Sequence, residues 1–327
     1  MDRFAEIRNV LSNGPSEANW RELLKHLRAW PQKEQREMAI QYIDAHLATW
    51  PDHLRALSEL ADSPYWRFIR CYELRSNIKK STLKSKLLHS TFMPHLTAFK
   101  WNTGGPIDDV LLTLLTSENC RNIKDIRLER CFLDYGFAQN SQYVGYYKHC
   151  RLEHFSLMNA GDGDNNWTFL LQLLPFSRLK SLALSLHKLR FPTFTMSAFS
   201  ELPCRETLET LSVEQCFSPT PFYELPVFPA LKTLSFARNW TIRPEHWVEL
   251  ASWSTLEGLK TLDLRQTRIE IQAVQALLES RYAHEGLTID LRQTKVTKQE
   301  LEGLQRFGKG EGLPTLLLDS PAVQKES

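Results

Sequence analysis

Residue types that could do chemistry occur in this chain, but their spacing rarely permits it. DGDNN (162–166) brings four side-chain oxygen donors, Asp162, Asp164, Asn165 and Asn166, close enough together to suit calcium. A calcium loop also needs a glycine at its sharp turn and a bidentate glutamate at its end, and Trp167 and Leu173 stand in those places. GKGEG (308–312) has the glycines of a phosphate loop. It follows a helical pattern and precedes a strand pattern, so its amides would point the wrong way, and it reads as a helix stop. The ten histidines are dispersed, and no G-x-S-x-G, H-E-x-x-H, Walker A or strand-linked G-x-G-x-x-G sequence is present. No catalytic, cofactor-binding or metal-ligating residue is therefore assigned, and no enzyme is expected. What does recur is a charged pair. TLDLRQTRI (261–269) returns as TIDLRQTKV (288–296), placing Asp263 with Arg265 and Asp290 with Arg292 at matching positions of the two copies.

The bulk properties set limits on what such pairs could serve. At 327 residues, 42% hydrophobic and 24% charged, the chain is ordinary for a globular protein and long enough to bury a sizeable core. A formal net charge of +2 gives no sign of a whole-protein nucleic-acid or membrane binder, and neither is expected. No run of 18 apolar residues occurs, and the opening MDRFAEIRNVLSNG lacks a secretory apolar core. The six cysteines (71, 120, 131, 150, 204 and 216) form no C-x-x-C pair, so they are expected to be reduced and buried in a cytoplasmic protein.

The elements that position the charged pairs are repeats. The pattern L-x-x-L-x-L-x-x-(N/C/T) fits LTAFKWNTG from Leu96, IKDIRLERC from Ile123, LEHFSLMNA from Leu152 and LKSLALSLH from Leu179. It continues in LETLSVEQC from Leu208, LKTLSFARN from Leu231, LKTLDLRQT from Leu259, GLTIDLRQT from Gly286 and LPTLLLDSP from Leu313. The third apolar position falls at 101, 128, 157, 184, 213, 236, 264, 291 and 318, a nearly even spacing along the chain. Within each copy apolar residues alternate, as strands require; between copies the spacing becomes helical. Helical stretches are expected at 106–118, 166–174, 244–253 and 269–281, with Pro244 in a first turn and Thr297 with Glu300 as a capping box.

On these residues the chain resembles the leucine-rich repeat family, in its longer, helix-containing class. The resemblance implies an α/β fold: a leucine-rich repeat solenoid with a parallel sheet on its concave face and helices outside. About nine repeats would fill 96–321, followed by a polar tail at 322–327. One strand and one helix cannot bury an apolar side alone, so stacked copies share a continuous core. The position closing each motif is Gly104, Cys131, Ala160, His187, Cys216, Asn239, Thr267, Thr294 and Pro321. In the family an Asn or Cys there satisfies backbone groups of the turn. Cys131, Cys216 and Asn239 fit, Thr267 and Thr294 are acceptable, and Gly104, Ala160 and Pro321 mark irregular copies; His187 reads as structural.

Residues 1–95 lack the pattern and read as a helical N-terminal capping domain, covering the open first strand of the array. HLRAWPQ (26–32) and HLATWPD (46–52) end two amphipathic runs at Trp-Pro, with Trp30 and Trp50 docked at helix ends and Ser16 as an N-cap. DAHLATWPDHLRALSELADSPYWRFIRCYELR (44–75) resembles, loosely, the small helical companion domain preceding repeats in some bacterial proteins. Seven basic residues between Arg67 and Lys86, against Glu73 alone, read as a solvated helix face or as a docking patch for an acidic partner or nucleic acid, the last weakened by the lack of aromatic residues beyond Tyr72.

The resemblance implies that residues flanking the strand leucines face a partner. The expected partner-binding residues, on the concave face and its rim, are Lys100, Arg127, Glu129, Glu214, Arg238, Trp240, Asp263, Arg265, Asp290 and Arg292. The Asp-x-Arg pairs are expected either to form ladders across adjacent strands or to neutralise themselves as surface salt bridges. Such a face suits a protein rather than a small metabolite, which needs enclosure. The expected function is a non-catalytic scaffold or adaptor, monomeric by itself, that binds a protein partner. The alternatives are an inhibitor that covers an enzyme's active site, as ribonuclease inhibitors with similar repeats do, and a regulatory or enzymatic protein with its site in the N-terminal region.

Overall fold

The computed structural model describes residues 3–30, 36–58, 65–74, 85, 93–132, 151–160, 176–186, 199–200, 202–215, 226–307 and 313–319. Cys150, His187, Cys216, Phe217, Pro321, the segments 162–166, 166–174 and 308–312, the tail and most of the basic stretch after Arg70 lie outside them.

Eleven parallel strands form one sheet in strict sequence order. They are β1 (Ala56–Leu57), β2 (Cys71–Leu74), β3 (Ala98–Pro106), β4 (Asp125–Phe132), β5 (His154–Ala160), β6 (Ser181–Leu186), β7 (Thr210–Glu214), β8 (Thr233–Ser235), β9 (Thr261–Asp263), β10 (Thr288–Asp290) and β11 (Thr315–Leu317). The registers carry the sequence phase. Thr261 pairs with Thr288 and Thr288 with Thr315, while Ser181 pairs with Thr210 and Thr210 with Thr233. Of the nine third apolar positions, Trp101, Leu128, Leu157, Leu184, Val213, Phe236, Leu264 and Leu291 are buried, as one spine requires, and Leu318 on the last rung is half-buried.

The turn leaving each strand shows the repeat a second time. Arg130, Asn159, Gln215, Arg238, Gln266 and Gln293 all have φ between 51° and 61°. Each stands two residues after the third apolar position of its copy. A left-handed residue other than glycine costs roughly 1–2 kcal/mol, so one phase repeated six times marks a geometry the rung requires. The closing residue compensates. Asn239 is buried and its amide donates to Val213 O at 2.6 Å in the preceding rung and to Phe236 O at 2.8 Å in its own. Thr267 and Thr294 donate only within their own rungs, to Leu264 O at 2.8 Å and Leu291 O at 2.7 Å. The expected irregular copies also show themselves. Beside Ala160 the β5–β6 register shifts, and next to Gly104 the strand passes through Gly105 at φ 125°.

The residues fall into two compact units. The first holds the chain through Thr103 and Asp109–Ile126; the second holds Gly104–Asp108, residues from Arg127 and those from Leu152 onward. In the first, α1 (Arg3–Ser12), α2 (Glu17–Arg28) and α3 (Arg36–Leu47) precede the strands. Ser16 caps α2, its hydroxyl accepting from Asn19 N at 3.1 Å. α2 then buries Trp20, Leu23 and Leu27 at helical spacing. Two strands, β1 and β2, stand before Leu96, in a stretch expected to be helical. Arg55, only 4% exposed, binds them to α3. Its Nε donates to Phe68 O at 2.8 Å, and its Nη1 donates to Leu47 O at 3.2 Å on the last residue of the helix.

After β3 comes α4 (Asp108–Thr116). In the second unit α5 (Pro244–Glu249), α6 (Ile271–Leu278) and α7 (Lys298–Phe307) follow their strands. Pro244 occupies the first turn of α5, and Trp247 on that helix meets Phe236 with ring centroids 6.4 Å apart. The capping box closes reciprocally: Thr297 N donates to Glu300 Oε2 at 2.8 Å and Glu300 N donates to Thr297 Oγ1 at 3.3 Å. The described cysteines, Cys71, Cys120, Cys131 and Cys204, are buried thiols. Burial pushes the Cys131 and Cys204 thiols up to about 12, which leaves them unreactive.

Candidate partner-binding face

Alternation along the strands puts Ser212, Ser235, Asp263 and Asp290 in register on neighbouring rungs of the second unit, between buried core positions. This is the polar face of the sheet, half-exposed at Ser212 and Asp263 and buried at Ser235 and Asp290. Six of the ten expected residues meet on it in one network. Arg265 Nε donates to Asp263 Oδ1 at 2.9 Å and its Nη2 to Oδ2 at 2.7 Å. Arg292 repeats the clamp on Asp290, its Nε donating to Oδ1 at 2.9 Å and its Nη2 to Oδ2 at 2.5 Å. Arg265 also lies 3.6 Å from Asp290 of the next rung. Arg238 approaches Glu214 at 3.9 Å, and Ser235 Oγ donates to Asp263 Oδ2 at 3.2 Å.

The Asp-x-Arg pairs thus close mainly within a rung, with one weaker contact across rungs. Each aspartate ends its strand and each arginine stands in the turn just past it, from which the guanidinium folds back into the bidentate clamp. The electrostatics follow from it. The Arg292 hydrogen bond, with help from Arg265, holds the Asp290 carboxyl below the usual carboxylate range against the opposing effect of burial. Hydrogen bonding to Asp263 likewise raises Arg265, and that to Asp290 raises Arg292. Counting Glu214, Asp263 and Asp290 against Arg238, Arg265 and Arg292, the network has no net charge.

Beside it runs a ladder of left-handed residues. Arg238 Nε donates to Gln266 Oε1 at 3.2 Å, and the Gln266 amide donates to Gln293 Oε1. Trp240 stands just past the turn, 53% exposed. Arg127 and Glu129 lie on β4, with Glu129 3.7 Å from Arg130. Between β4 and β7 the described outward residues His154, Ser156, Ala183 and Ser185 offer no continuing charge ladder. Lys100 is in the first unit, beside Glu73 of β2. The structure therefore gathers Glu214, Arg238, Asp263, Arg265, Asp290 and Arg292, and does not bring Lys100, Arg127 and Glu129 into their network.

Sequence reasoning missed a second charged column at the strand entrances. Lys180 Nζ lies 3.0 Å from Glu153 and Lys232 Nζ lies 2.7 Å from Glu209, so Glu209 is held low, chiefly by its bond from Lys232. The signal was the second motif position, which alternates Glu153, Lys180, Glu209, Lys232. These are exposed pairs and contribute little to stability. Among the described residues no group of three or more His, Cys, Asp or Glu could hold a metal, and no helix is long and apolar enough to cross a membrane.

No protein-family model matches the chain, and no curated protein does. Solved structures do. The chain is similar to one in the crystal structure of the Rad7 and Elc1 complex in yeast (17% identity, TM-score 0.38, covering 99% of this chain and 89% of that one). It is also similar to a chain of the LRIM1/APL1C complex (14%, TM-score 0.35, 73% of this chain and 45% of that one). A third is the leucine-rich repeat domain of APL1B (14%, TM-score 0.35, 90% and 96%). Likenesses this distant carry no argument about what the chain does. The fold rests on the chain's own phase, register and turns, and it is a leucine-rich repeat solenoid.

Proposed function

We propose that the protein is a non-catalytic binding scaffold whose polar sheet face in the second unit takes a protein partner. The observation that carries this reading is the clamping of Arg265 and Arg292 on Asp263 and Asp290. Arginines in the turns, fixed by bidentate bonds to aspartates at the strand ends, present their remaining N–H groups outward, where partner carboxylates and carbonyls can accept them. Holding a long side chain in place before binding saves roughly 0.5–1.5 kcal/mol of ordering cost per residue. Trp240 at the rim adds the kind of exposed aromatic group on which binding energy concentrates. The repeats support this face, and the 1–95 segment is read as their cap.

The test must respect the clamp. The Asp290 side chain is 9% exposed, so truncating Arg292 alone would strand a nearly buried carboxylate. Asp263→Asn, Arg265→Gln, Asp290→Asn and Arg292→Gln are therefore combined with Trp240→Ala. Affinity capture from the source lysate is then quantified beside thermal unfolding. A partner enriched by the wild type should fall at least tenfold with the variant while circular dichroism shows the variant still folded at the capture temperature. Retention of every captured protein, or a variant unfolded at that temperature, would remove the assignment.

A further inference from the structure

The first unit holds a pocket of about 410 Å³ that the partner-binding reading does not use. One wall is α2, which lends Trp20 and Leu24 with Arg21 and Arg28 at its margin; the other is the chain around β1, with His53, Leu54 and Leu57. Glu73 and Lys100 close it from neighbouring strands. The walls are fixed to each other. The Trp20 indole N–H donates to Ala56 O at 2.7 Å, and Trp20 is itself only 2% exposed, so the notch is part of the packed fold. Its size lies within the range of small-molecule sites, roughly 300–1,000 Å³.

The lining has an apolar side and one uncommitted charge. Arg21 is paired with Glu17 at 2.9 Å, so those two cancel. Lys100 is half-buried, and no carboxylate among the described residues, Glu73 included, lies within ion-pair distance of its ammonium. Removing a lysine from bulk water without an anion is unfavourable, and an incoming anion would relieve that cost. Around the lining as a whole, Arg21, Arg28 and Lys100 outnumber Glu17 and Glu73. Leu24, Leu54 and Leu57, all half-buried, offer the apolar surface beside them, with Trp20 packed behind.

We propose that this pocket binds a small organic carboxylate with an aromatic or apolar body. The carboxylate meets the Lys100 ammonium, and the body lies on Leu24, Leu54 and Leu57. The arrangement needs nothing from the charged network of the second unit, so either assignment can fail alone.

The test is calorimetric titration of the full chain with phenylbutyrate, its neutral amide phenylbutyramide and a soluble glutamate-rich peptide. At the efficiency of ordinary small ligands, phenylbutyrate should bind with a Kd of roughly 1–5 mM. The amide, and phenylbutyrate with Lys100→Gln, should each bind at least tenfold more weakly, whereas Lys100→Arg stays within about threefold. Leu24→Glu, which sets an acid on the wall, should abolish binding while circular dichroism shows an intact fold. No heat up to about 20 mM phenylbutyrate would overturn the proposal. Equal binding of the amide, or an unchanged Lys100→Gln, would do the same. So would tight binding of the peptide with none of the small acid, because the pocket would then receive a side chain of a macromolecule.

Discussion

Replacing Asn239 tests the turn that closes each rung. The two short bonds of its amide go to Val213 O at 2.6 Å and Phe236 O at 2.8 Å, beside a longer one to Ala237 O at 3.4 Å, and the residue is 1% exposed. Alanine would take the donor from both. Each buried carbonyl left unmatched costs roughly 1–3 kcal/mol, so Asn239→Ala should lose about 2–6 kcal/mol, the low end applying if water enters the gap. Threonine separates the two bonds. At 267 and 294 a threonine hydroxyl satisfies its own rung, Leu264 O or Leu291 O, and does not reach the rung before. Asn239→Thr should therefore keep the bond to Phe236 O, lose the one to Val213 O, and cost about half as much as alanine. Urea unfolding followed by circular dichroism reads both variants; an unchanged m-value with a lowered midpoint shows that the native state has been weakened. Rungs are coupled to their neighbours, so the loss should appear in the main transition. If Asn239→Ala stays within about 0.5 kcal/mol of wild type, as a neutral surface change would, the bridging role is refuted. If threonine costs as much as alanine, the division between own-rung and cross-rung bonds is wrong.

Three further outcomes follow from single observations. Tyr72 is wholly buried and its hydroxyl has no hydrogen-bond partner among the described residues, so Tyr72→Phe should raise stability by roughly 1 kcal/mol in the same urea assay; a loss of that size would mean the hydroxyl is engaged. Gln266 sits at φ 55°, so a β-branched Gln266→Val should cost roughly 1–2 kcal/mol, while Gln266→Asn, which tolerates that conformation, should stay near wild type; equal effects would deny the strain. Because Arg292 holds the Asp290 pKa below its unfolded value, Asp290 stabilises the fold above the ordinary carboxylate range, and the gain is lost as pH falls through the lowered value. The penalty of Asp290→Asn should therefore be larger at about pH 6 than at about pH 3, and a penalty independent of pH would contradict the clamp.

The phase of the repeats was legible because it depends on side-chain volume and polarity, which a sequence displays directly. Leu262 with Leu264 and Ile289 with Leu291 announce strands that nothing else could bury. β2 was legible in principle. Leu74 precedes Trp101 by the same step that separates Trp101 from Leu128, and Tyr72 holds the place of the middle leucine. The large aromatic group disguised that rung inside a stretch rich in charge. β1 was not legible, since its partner Cys71 follows Ala56 too soon to fit the period. Nor was Arg55. Its burial depends on where the end of α3 and the turn at Phe68 come together, and no local pattern encodes that meeting. At the candidate face the residue types were visible and their partners were not. An Asp-x-Arg pattern permits both a clamp within the rung and a bond across rungs, and the path of the turn after each strand, which decides between them, is not written in the pattern.

Closure of those clamps changes what the face can select. Six charges that satisfy one another produce little field beyond a Debye length, about 8 Å at physiological salt, so a partner would not be drawn in from afar by net charge. Discrimination would act at contact. A partner that meets Arg265 and Arg292 without a matching acceptor must desolvate groups already well placed, and it gains nothing in return. A partner whose acceptors match finds donors held still by Asp263 and Asp290, with the adjoining Arg238, Gln266 and Gln293 fixed by their own contacts. The acids are thus as important to recognition as the arginines, though they need not touch the partner. On this reasoning neutralising Asp263 and Asp290 alone would leave the arginines charged but loose, and binding would weaken because the donors had lost their position.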